Sequence, residues 1–242
     1  MSHPKLRTNQ HTKLVAAILA CFALGWLGWR IAPVAAATGA LGTKVVDIDR
    51  LITLDPVVIT KVTVAGQQIQ PGEAGVREDK PGTPFQADED WLKNMSIFLQ
   101  NRTDRAIVCV QLRLWFPDTG DGTAARPITH HDITVGLRPE SSLYYSNGSK
   151  IPHDPSEKPF LLPPHGTVVI PVADSIDAIQ STVEGGNMLF SQITRVNIQR
   201  YTVYFEDGTH WVGHAYYSPD PAHPGKYIKL DDNYFPGRLG QN

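Results

Sequence analysis

The stretch IVCVQLRLWF, residues 107–116, decides the fold class of this chain. Large apolar side chains occupy alternate positions of the stretch, at Val108, Val110, Leu112, Leu114 and Phe116. Gln111, Arg113 and Cys109 fall on the opposite side. Because successive side chains of a β-strand point to opposite faces of its sheet, this alternation predicts a strand with one face in a hydrophobic core.

Other runs rich in Val, Ile, Thr and Tyr lie between turn residues, and we predict strands at 57–65, 95–100, 127–136, 167–173, 193–205 and 209–217. One helix is predicted after Val172, because Ile176, Ile179 and Val183 form an apolar stripe that Gly185 ends. The chain is therefore predicted to be all-β. The pattern indicates an antiparallel immunoglobulin-like or fibronectin-like sandwich of about seven strands, with one short inserted helix and an N-terminal apolar export helix before it.

Connections between successive antiparallel strands alternate between the two ends of a sheet. This rule places residues 66–90, residues 117–126 and the helix at one end. It places the turn at 101–105, the long segment 138–166 and the turn at 206–208 at the other end. We expect the second end to matter more for function, because a connection as long as 138–166 is unusual unless it has a role.

The N-terminus indicates export. A basic head without acidic residues precedes the apolar run LVAAILACFALGWLGW, residues 14–29, and small residues follow at Ala35 and Ala37. This is the pattern of a cleaved signal peptide. An uncleaved membrane anchor is the alternative, although a helix of this length spans about 24 Å and a bilayer core measures roughly 30 Å. Both alternatives place the rest of the chain outside the cytoplasm, because the basic residues precede the apolar run.

The predicted organisation has four parts: residues 1–37 as signal peptide or anchor, 38–56 as a linker or leading strand, 57–217 as the β-sandwich domain, and 218–242 as a Pro/Gly-rich tail. The predicted location is periplasmic or extracellular, and the alternative is a single-pass membrane protein whose C-terminal domain lies outside the cytoplasm. Cys21 lies in the export segment, so a cleaved chain forms no intramolecular disulfide.

Composition argues against several classes of function. The chain has 242 residues, a net charge of -2, 41% hydrophobic residues and 19% charged residues. A near-neutral balance lacks the concentrated basic face that nucleic acid binding requires. The sequence contains no phosphate loop, no Rossmann glycine run, no G-x-S-x-G and no H-E-x-x-H. We therefore expect no nucleic acid partner, no cofactor and no enzymatic activity.

The segment YFEDGTHWVGH, residues 204–214, contains acidic and histidine side chains that resemble a site, but its alternation predicts a hairpin. A three-residue turn at 206–208 pairs Phe205 with Thr209, and it pairs Val203 with the tryptophan at position 211. A two-residue turn would instead bury two imidazoles. Burial of the tryptophan is the more favourable arrangement, because an apolar ring loses less on leaving water.

In the favoured register Trp211 points into the core, whereas His210 and His214 point to solvent. Four residues along a strand span about 13 Å. One ion with Zn–N bonds of about 2 Å cannot bridge that distance, so no metal site is expected. Upstream, Val196 and Ile198 occupy even positions, whereas the apolar residues Tyr201, Val203 and Phe205 occupy odd positions. All five can face the core only if the strand contains an extra residue, so a β-bulge is predicted near 199–200.

The adjacent histidines of THHD, residues 129–132, offer no chelating pair, because neighbouring strand residues face opposite ways. Scattered carboxylates at Asp118, Asp121, Asp231 and Asp232 leave open an alternative, an extracellular hydrolase or a carbohydrate-binding module. A cleft that holds two carboxylates about 5–10 Å apart would favour the hydrolase.

A binding patch is predicted at the second end of the strands. Segment 138–166 displays Tyr144 and Tyr145 beside Ser, Asn and Gly, a composition typical of recognition loops. The predicted strand order brings Asn101, Arg105 and His210 next to this loop. The patch therefore consists of Asn101, Arg105, Tyr144, Tyr145 and His210, with no catalytic residue and no metal ligand. The alternative, in which both tyrosines fold back over the core, stays open.

NRTDRAIVCVQLRLWFPDTG and YFEDGTHWVGH together resemble a group of uncharacterised exported bacterial β-sandwich proteins. The resemblance covers about residues 91–217 and rests on the N-R-T hairpin into a long apolar strand and on the F-x-D-G-x-x-W hairpin. It implies a fold and an export route, and it implies no activity. The leading hypothesis is an exported, non-enzymatic binding or envelope-support module whose partner is an unknown protein or glycan of the cell envelope, with possible membrane anchoring through residues 14–29.

Overall fold

Thirteen β-strands and one α-helix form the main regular elements of the described chain. The computed structural model describes residues 41–74, 80–143, 149–152, 158–186 and 188–236. All of these residues belong to one compact unit, Ala40–Asn242. The predicted predominance of β-structure with one short helix is confirmed.

Most strands are short and are joined by turns. The strands are β1 (Gly42–Asp49), β2 (Val57–Val64), β3 (Gln67–Ile69), β4 (Gly72–Ala74), β5 (Phe85–Ala87), β6 (Met95–Asn101), β7 (Ile107–Phe116), β8 (Thr129–Gly136), β9 (Thr167–Pro171), β10 (Arg195–Phe205), β11 (His210–Val212), β12 (Ala215–Pro219) and β13 (Tyr227–Lys229). The helix α1 spans Ile176–Gly185, and 3₁₀ turns lie at Pro117–Thr119, Glu140–Ser142, Val172–Ser175 and Phe190–Gln192. Each of the seven segments predicted as strands contains at least one strand.

The strands form two sheets. The smaller sheet has the order β3-β2-β6-β9 and is antiparallel throughout. In the larger sheet, β10 pairs with β7 along one edge, and β8 follows β7. Because β7 occupies that edge along most of β10, β1 and β11 share the other edge. Strands β12 and β13 continue from β11, while β4 and β5 pair with β1.

The expectation of purely antiparallel pairing is wrong for β1, which is parallel to both β10 and β4. Alternation along a strand shows which face is buried and contains no information about the direction of a neighbour, so the sequence pattern could not reveal this. Asp47 of β1 is buried, and its carboxylate accepts hydrogen bonds from Gly82 N at 2.8 Å and from Arg195 Nε at 2.6 Å. These bonds fasten the leading strand to the larger sheet and to the segment before β5.

One hydrophobic core contains side chains from both sheets and from the helix. Its fully buried members include Val57, Ile97, Leu99, Val110, Leu112, Ile179, Val183, Val203 and Trp211. Burying a side chain of this size contributes about 1.5–3 kcal/mol relative to leaving it exposed. The predicted core positions Val110, Leu112, Leu114 and Phe116 of β7 are buried, as are Ile179 and Val183 of the helix, whose Ile176 is partly buried. The prediction is wrong for Val108, which is half-buried, because a register shift against β10 skips this residue and Ile107 enters the core instead.

The late hairpin has the predicted three-residue register. Val203 pairs with Trp211, and Phe205 N donates to Thr209 O at 2.9 Å. Trp211 is fully buried, so its predicted inward position is confirmed. Gly208, the last turn residue, has φ +81°, a conformation that glycine adopts without strain.

The predicted single strand at 209–217 is wrong, because the chain turns back after Val212. Gly213 and His214 have φ +55° and +68°, and Val212 pairs with Ala215 across this two-residue turn. Two left-handed residues are the geometry of a type I′ hairpin turn, in which histidine is tolerated better than most side chains with a Cβ. The result is a second hairpin, β11–β12, and β13 pairs along its outer side.

The bulge in β10 is present and lies one residue later than predicted. The register against β7 shifts between Arg200 and Thr202, so Tyr201 is the inserted residue. The expectation that Tyr201 shares the core face with Val203 and Phe205 is therefore wrong. Its ring lies on the outer face of the larger sheet, where it packs on a guanidinium group.

Residues 14–29, on which the predicted membrane anchor depends, lie outside the described residues, as does the rest of 1–37. Within the described residues, no helix has the length and apolar character needed to cross a membrane. The predicted tail contributes β13, and its Tyr234 and Phe235 pack against Tyr216 at centroid distances of 5.3 and 6.4 Å.

Candidate binding face

The predicted second end of the strands comes together in the structure, but Asn101 is part of its framework. The Asn101 side-chain amide donates to the backbone carbonyls of Arg105, Leu162 and Pro163 at 2.7, 3.3 and 3.0 Å. Its carbonyl oxygen accepts from Thr103 N at 2.9 Å. A fully buried amide with these bonds holds the turn after β6 against segment 138–166, and it is inaccessible to a ligand.

Arg105 lies beside this framework and forms an ion pair with Asp207 of the late turn. Its side chain is 38% exposed. An exposed pair of this kind contributes about 0–1 kcal/mol to stability, so the pair positions the turn weakly. Tyr144 and Tyr145 lie outside the described residues, and the patch as a whole stays a prediction.

His210 is buried, and the expectation that it points to solvent is wrong. Only 8% of the residue is exposed. It lies on the face opposite Trp211, as predicted, but β12 and β13 fold alongside β11 and cover that face with tyrosines. We call His210 and its three ring neighbours the tyrosine cluster; the neighbours are Tyr204, Tyr217 and Tyr227, at centroid distances of 5.4, 5.3 and 4.3 Å.

Burial sets the charge state of the tyrosine cluster. Desolvation lowers the pKa of His210 to about 4, and it raises the pKa of Tyr204 to about 12. Both side chains are therefore neutral at physiological pH. The Nδ1 atom of His210 has no hydrogen-bond partner within the described part of the chain. No group of three or more His, Cys, Asp or Glu side chains suited to a metal ion occurs among the described residues.

The other end of the same outer face carries a continuous row of contacting aromatic and cationic side chains, which we call the ladder. The ladder consists of His130 of β8, Trp115 and Arg113 of β7, and Tyr201 of β10. The ring centroids of His130 and Trp115 are 4.6 Å apart. The Arg113 guanidinium lies 5.5 Å from the Trp115 ring and 3.8 Å from the Tyr201 ring, both within the range of cation–π attraction.

Polar neighbours hold the ladder in place. Arg113 forms a bidentate ion pair with Asp132 through N–O distances of 2.7 and 2.8 Å. The hydrogen bond to Asp132 raises the pKa of Arg113. The indole N–H of Trp115 donates to Gln199 Oε1 at 2.9 Å, and Gln111 Nε2 donates to Thr134 Oγ1 at 3.3 Å. The ladder is thus ordered before any ligand arrives, and its guanidinium charge is already paired.

The ladder remains accessible. Trp115, Arg113 and Tyr201 are half-buried, and His130 is exposed. His131 faces the other way, and its Nδ1 lies 3.3 Å from the Thr182 hydroxyl of α1. His130 and His131 therefore lie on opposite faces of β8.

A buried ionic group lies where the chain leaves β1. Arg200 Nη2 lies 3.2 Å from Asp49 and 3.3 Å from Asp55, and it donates to the backbone carbonyls of Asp49 and Arg50 at 2.9 and 2.8 Å. Burial raises the pKa of Asp49 to about 6 despite the opposing effect of Arg200. This group ties segment 49–55 to β10.

His214 extends from the β11–β12 turn toward this ionic group. Its Nδ1 lies 3.5 Å from Oδ1 of the buried Asp55 carboxylate, while the imidazole itself is largely exposed. A buried carboxylate that orients an imidazole is one part of an acid–base site. Within the described residues, no hydroxyl or thiol forms a hydrogen bond with His214, so the pair lacks a nucleophile in contact and supports the turn.

Three of the four carboxylates that motivated the hydrolase alternative serve local turns, whereas Asp118 joins the turn after β7 to the start of β10. Asp118 accepts from Thr194 N at 2.6 Å. Asp121 accepts from Thr123 N, Asp231 accepts from Asn233 N, and Asp232 pairs with Lys229. A surface cavity of about 680 Å³ beside Asp118 contains no second carboxylate among its described lining residues. The described structure therefore offers the hydrolase hypothesis no carboxylate pair at this cavity.

No protein-family model, curated protein or solved structure matches this chain. Its function must be inferred from the geometry of its own residues. The ladder is the strongest candidate site, because it combines aromatic surface, paired charge and partial exposure on a rigid sheet. Alternation along β7 could have revealed Trp115 beside Arg113. The contribution of Tyr201 depends on the position of the bulge and was missed for that reason.

Proposed function

We propose that this chain is an exported, non-enzymatic β-sandwich of immunoglobulin-like or fibronectin-like type whose ladder face binds a partner in the cell envelope. The strand distribution supports the fold. Strands β2, β6 and β9 share one sheet, β8, β7, β10 and β11 follow one another in the other, and the two sheets share one core. In chain order these seven strands are β2, β6, β7, β8, β9, β10 and β11. They divide between the two sheets as the strands of an immunoglobulin constant-type domain do, except that the fourth strand, β8, is in the other sheet.

The observation that carries the binding function is the ladder itself. Tryptophan, tyrosine and arginine are the residue types most enriched among the residues that dominate binding energy. In Trp115, Tyr201 and Arg113 all three are in contact on one face. Because Gln199 and Asp132 already hold two of these side chains, a ligand restricts few additional rotamers on binding.

The separation of the histidines supports a non-enzymatic role. His130 is part of the ladder, His131 contacts α1, His210 is in the tyrosine cluster, and His214 lies beside Asp55. The other described histidines, His165 and His223, pair with Asp104 and Asp220. Two histidines that act together as acid and base must lie within reach of one reacting atom, and these six contact different groups. The basic and apolar N-terminal segments support export, as does the resemblance to exported β-sandwich proteins.

Site-specific photocrosslinking tests this proposal in the cells that produce the protein. Benzoylphenylalanine at Thr134, an exposed residue beside the ladder, should give adducts to envelope material. The matched control carries the same probe at Thr60, an exposed position on β2 of the smaller sheet, and should give none. Adducts from the Thr134 probe should disappear when Trp115→Ala is added. Absence of adducts, or adducts that Trp115→Ala leaves unchanged, would contradict the proposal.

A further inference from the structure

We infer that the ligand of the ladder face is an uncharged carbohydrate chain. This inference rests on the proposed binding function and names the chemical class of the partner. Three features of the face support it: its paired charge, the arrangement of its aromatic rings, and the type of polar group beside them.

Charge argues against an anionic ligand. The single cation of the ladder that is charged at all pH values, Arg113, is held by both oxygens of Asp132. The side chains of this pair are 16% and 31% exposed, so the pair is partly removed from water. A phosphate or carboxylate ligand would have to displace Asp132 or approach it closely, and both are unfavourable. A neutral ligand fits the face without breaking the pair.

The rings offer a surface for the apolar side of a sugar. Aromatic rings carry negative charge on their faces and positive charge at their edges. The C–H groups of a pyranose ring are weakly positive and pack against such faces. Trp115 is held by its hydrogen bond to Gln199 and by contact with His130, so its orientation is defined before binding. Tyr201 provides a second ring on the neighbouring strand beyond the guanidinium.

The polar groups around the rings suit hydroxyl recognition. A sugar hydroxyl both donates and accepts hydrogen bonds, and amide, carboxylate and guanidinium groups offer paired donors or acceptors in one plane. Asp132, Gln199, Gln111 and Thr134 lie on the same face as the ladder, on three adjacent strands. The amide nitrogen of Gln199 is opposite the oxygen that accepts from the indole, so the bond to Trp115 does not use its donors.

The outer face of the smaller sheet provides an internal contrast. Phe98 is half-buried there, with the Lys61 ammonium 4.7 Å from its ring, and its cross-strand neighbour Val169 is exposed. The described strands of this sheet contribute one aromatic ring. The cation over that ring is a lysine with no carboxylate partner among the described residues, and the cross-strand neighbour of the ring is aliphatic. Gln100 of β6 shares this face with Phe98, but the described strands of the smaller sheet carry no guanidinium–carboxylate pair, and the face serves as the control surface.

Direct titration tests the inference. The full chain in mild detergent is titrated calorimetrically with uncharged hexasaccharides of β-1,4-linked glucose and of β-1,4-linked N-acetylglucosamine. The wild type should bind at least one of them. Trp115→Ala should weaken that binding by about tenfold or more, equivalent to about 1.4 kcal/mol. Trp115→Phe, which keeps a ring, should retain part of the affinity, and Phe98→Ala should leave it unchanged.

The inference is overturned if the wild type binds neither hexasaccharide, or if Trp115→Ala binds as tightly as the wild type while circular dichroism shows both to be folded. Tyr201→Ala supplies a second ladder variant if Trp115→Ala does not fold. Mass spectrometry of the Thr134 photoadduct separates this outcome from failure of the proposed function. If the Thr134 probe gives an adduct to a peptide and this adduct requires Trp115, the proposed binding function stands and the carbohydrate inference is rejected. If no adduct requires Trp115, both are rejected.

Discussion

The outer face of the larger sheet has two ends that use similar side chains with opposite results. At the ladder end, His130 packs on Trp115 and stays exposed. At the other end, His210 packs among tyrosines and is almost inaccessible. Both imidazoles lie on strands beside aromatic rings. They differ because β12 and β13 extend the sheet next to His210 and bring Tyr217 and Tyr227 over it, whereas the described chain places no strand beyond β8.

This difference separates packing from recognition. An aromatic group covered by later strands contributes to stability, and its imidazole becomes neutral because desolvation disfavours the charge. An aromatic group left at the surface with paired polar neighbours contributes less to stability and can contact a ligand. Mutations at the two ends should therefore affect different measurements, and the size of the effect should follow burial.

The largest contrast is expected between the two histidines. His210→Ala should lower the free energy of unfolding by about 3 kcal/mol, because it leaves a cavity among the tyrosines. His130→Ala should lower it by less than about 1 kcal/mol, since its site is open to water. Urea unfolding followed by far-UV circular dichroism measures both values. Equal losses in the two variants would show that the two ends do not differ in burial.

The tyrosine end should also make stability depend on pH. The pKa of His210 is about 4 in the folded protein against 6.5 in the unfolded chain. Between these values the unfolded chain binds more protons, so stability falls as pH falls. The contribution should be complete above pH 6.5 and should decrease by about 3 kcal/mol by pH 4.

The measurement is the difference in unfolding free energy between the wild type and His210→Phe across this pH range. A difference is needed because Asp49 acts in the opposite direction. Its pKa is about 6 when folded and 3.8 when unfolded, so its contribution to stability rises as pH falls through this window. A pH-independent difference between the two proteins would show that His210 is accessible to water.

Removing a tyrosine from the cluster should shift the pKa of His210 toward that of an exposed histidine. Tyr227→Ala removes the nearest ring, at a centroid distance of 4.3 Å, and admits water to the imidazole. The pKa of His210 should rise by about one unit toward 6.5, equivalent to about 1.4 kcal/mol. NMR titration of the imidazole protons gives this value. Tyr234→Ala, at the edge of the core, is the matched control and should leave the titration unchanged.

Local pattern explains the parts of this fold that the sequence predicts. Alternation in 107–116 places Leu112 and Leu114 in the core, and the turn chemistry at Gly208 places Trp211 beside Val203. These features depend on residues close together in the chain. The parallel pairing of β1 and the short strands in 66–90 depend on distant partners, and no local pattern indicates them.

The candidate site was less predictable for the same reason. His210 was placed on the correct side of its strand, but its burial depends on the turn at Gly213 and on pairing with β12 and β13. The ladder joins three strands, and Tyr201 is part of it only because the bulge turns that ring outward. A shift of one residue in the predicted bulge was enough to assign Tyr201 to the wrong face.

The smallest expected effect lies in the ladder's ion pair. Asp132→Asn removes one charge from the bidentate contact with Arg113 and should lower the free energy of unfolding by about 1 kcal/mol in low salt. In about 1 M salt the screening length falls to about 3 Å, so the difference from the wild type should shrink. Chemical unfolding at the two salt concentrations measures it. Arg105→Gln, which breaks the more exposed pair with Asp207, should change stability less. A loss for Asp132→Asn as large as that for His210→Ala would mean that the ladder contributes to stability as the tyrosine cluster does, and it would remove the physical reason for assigning recognition to the ladder.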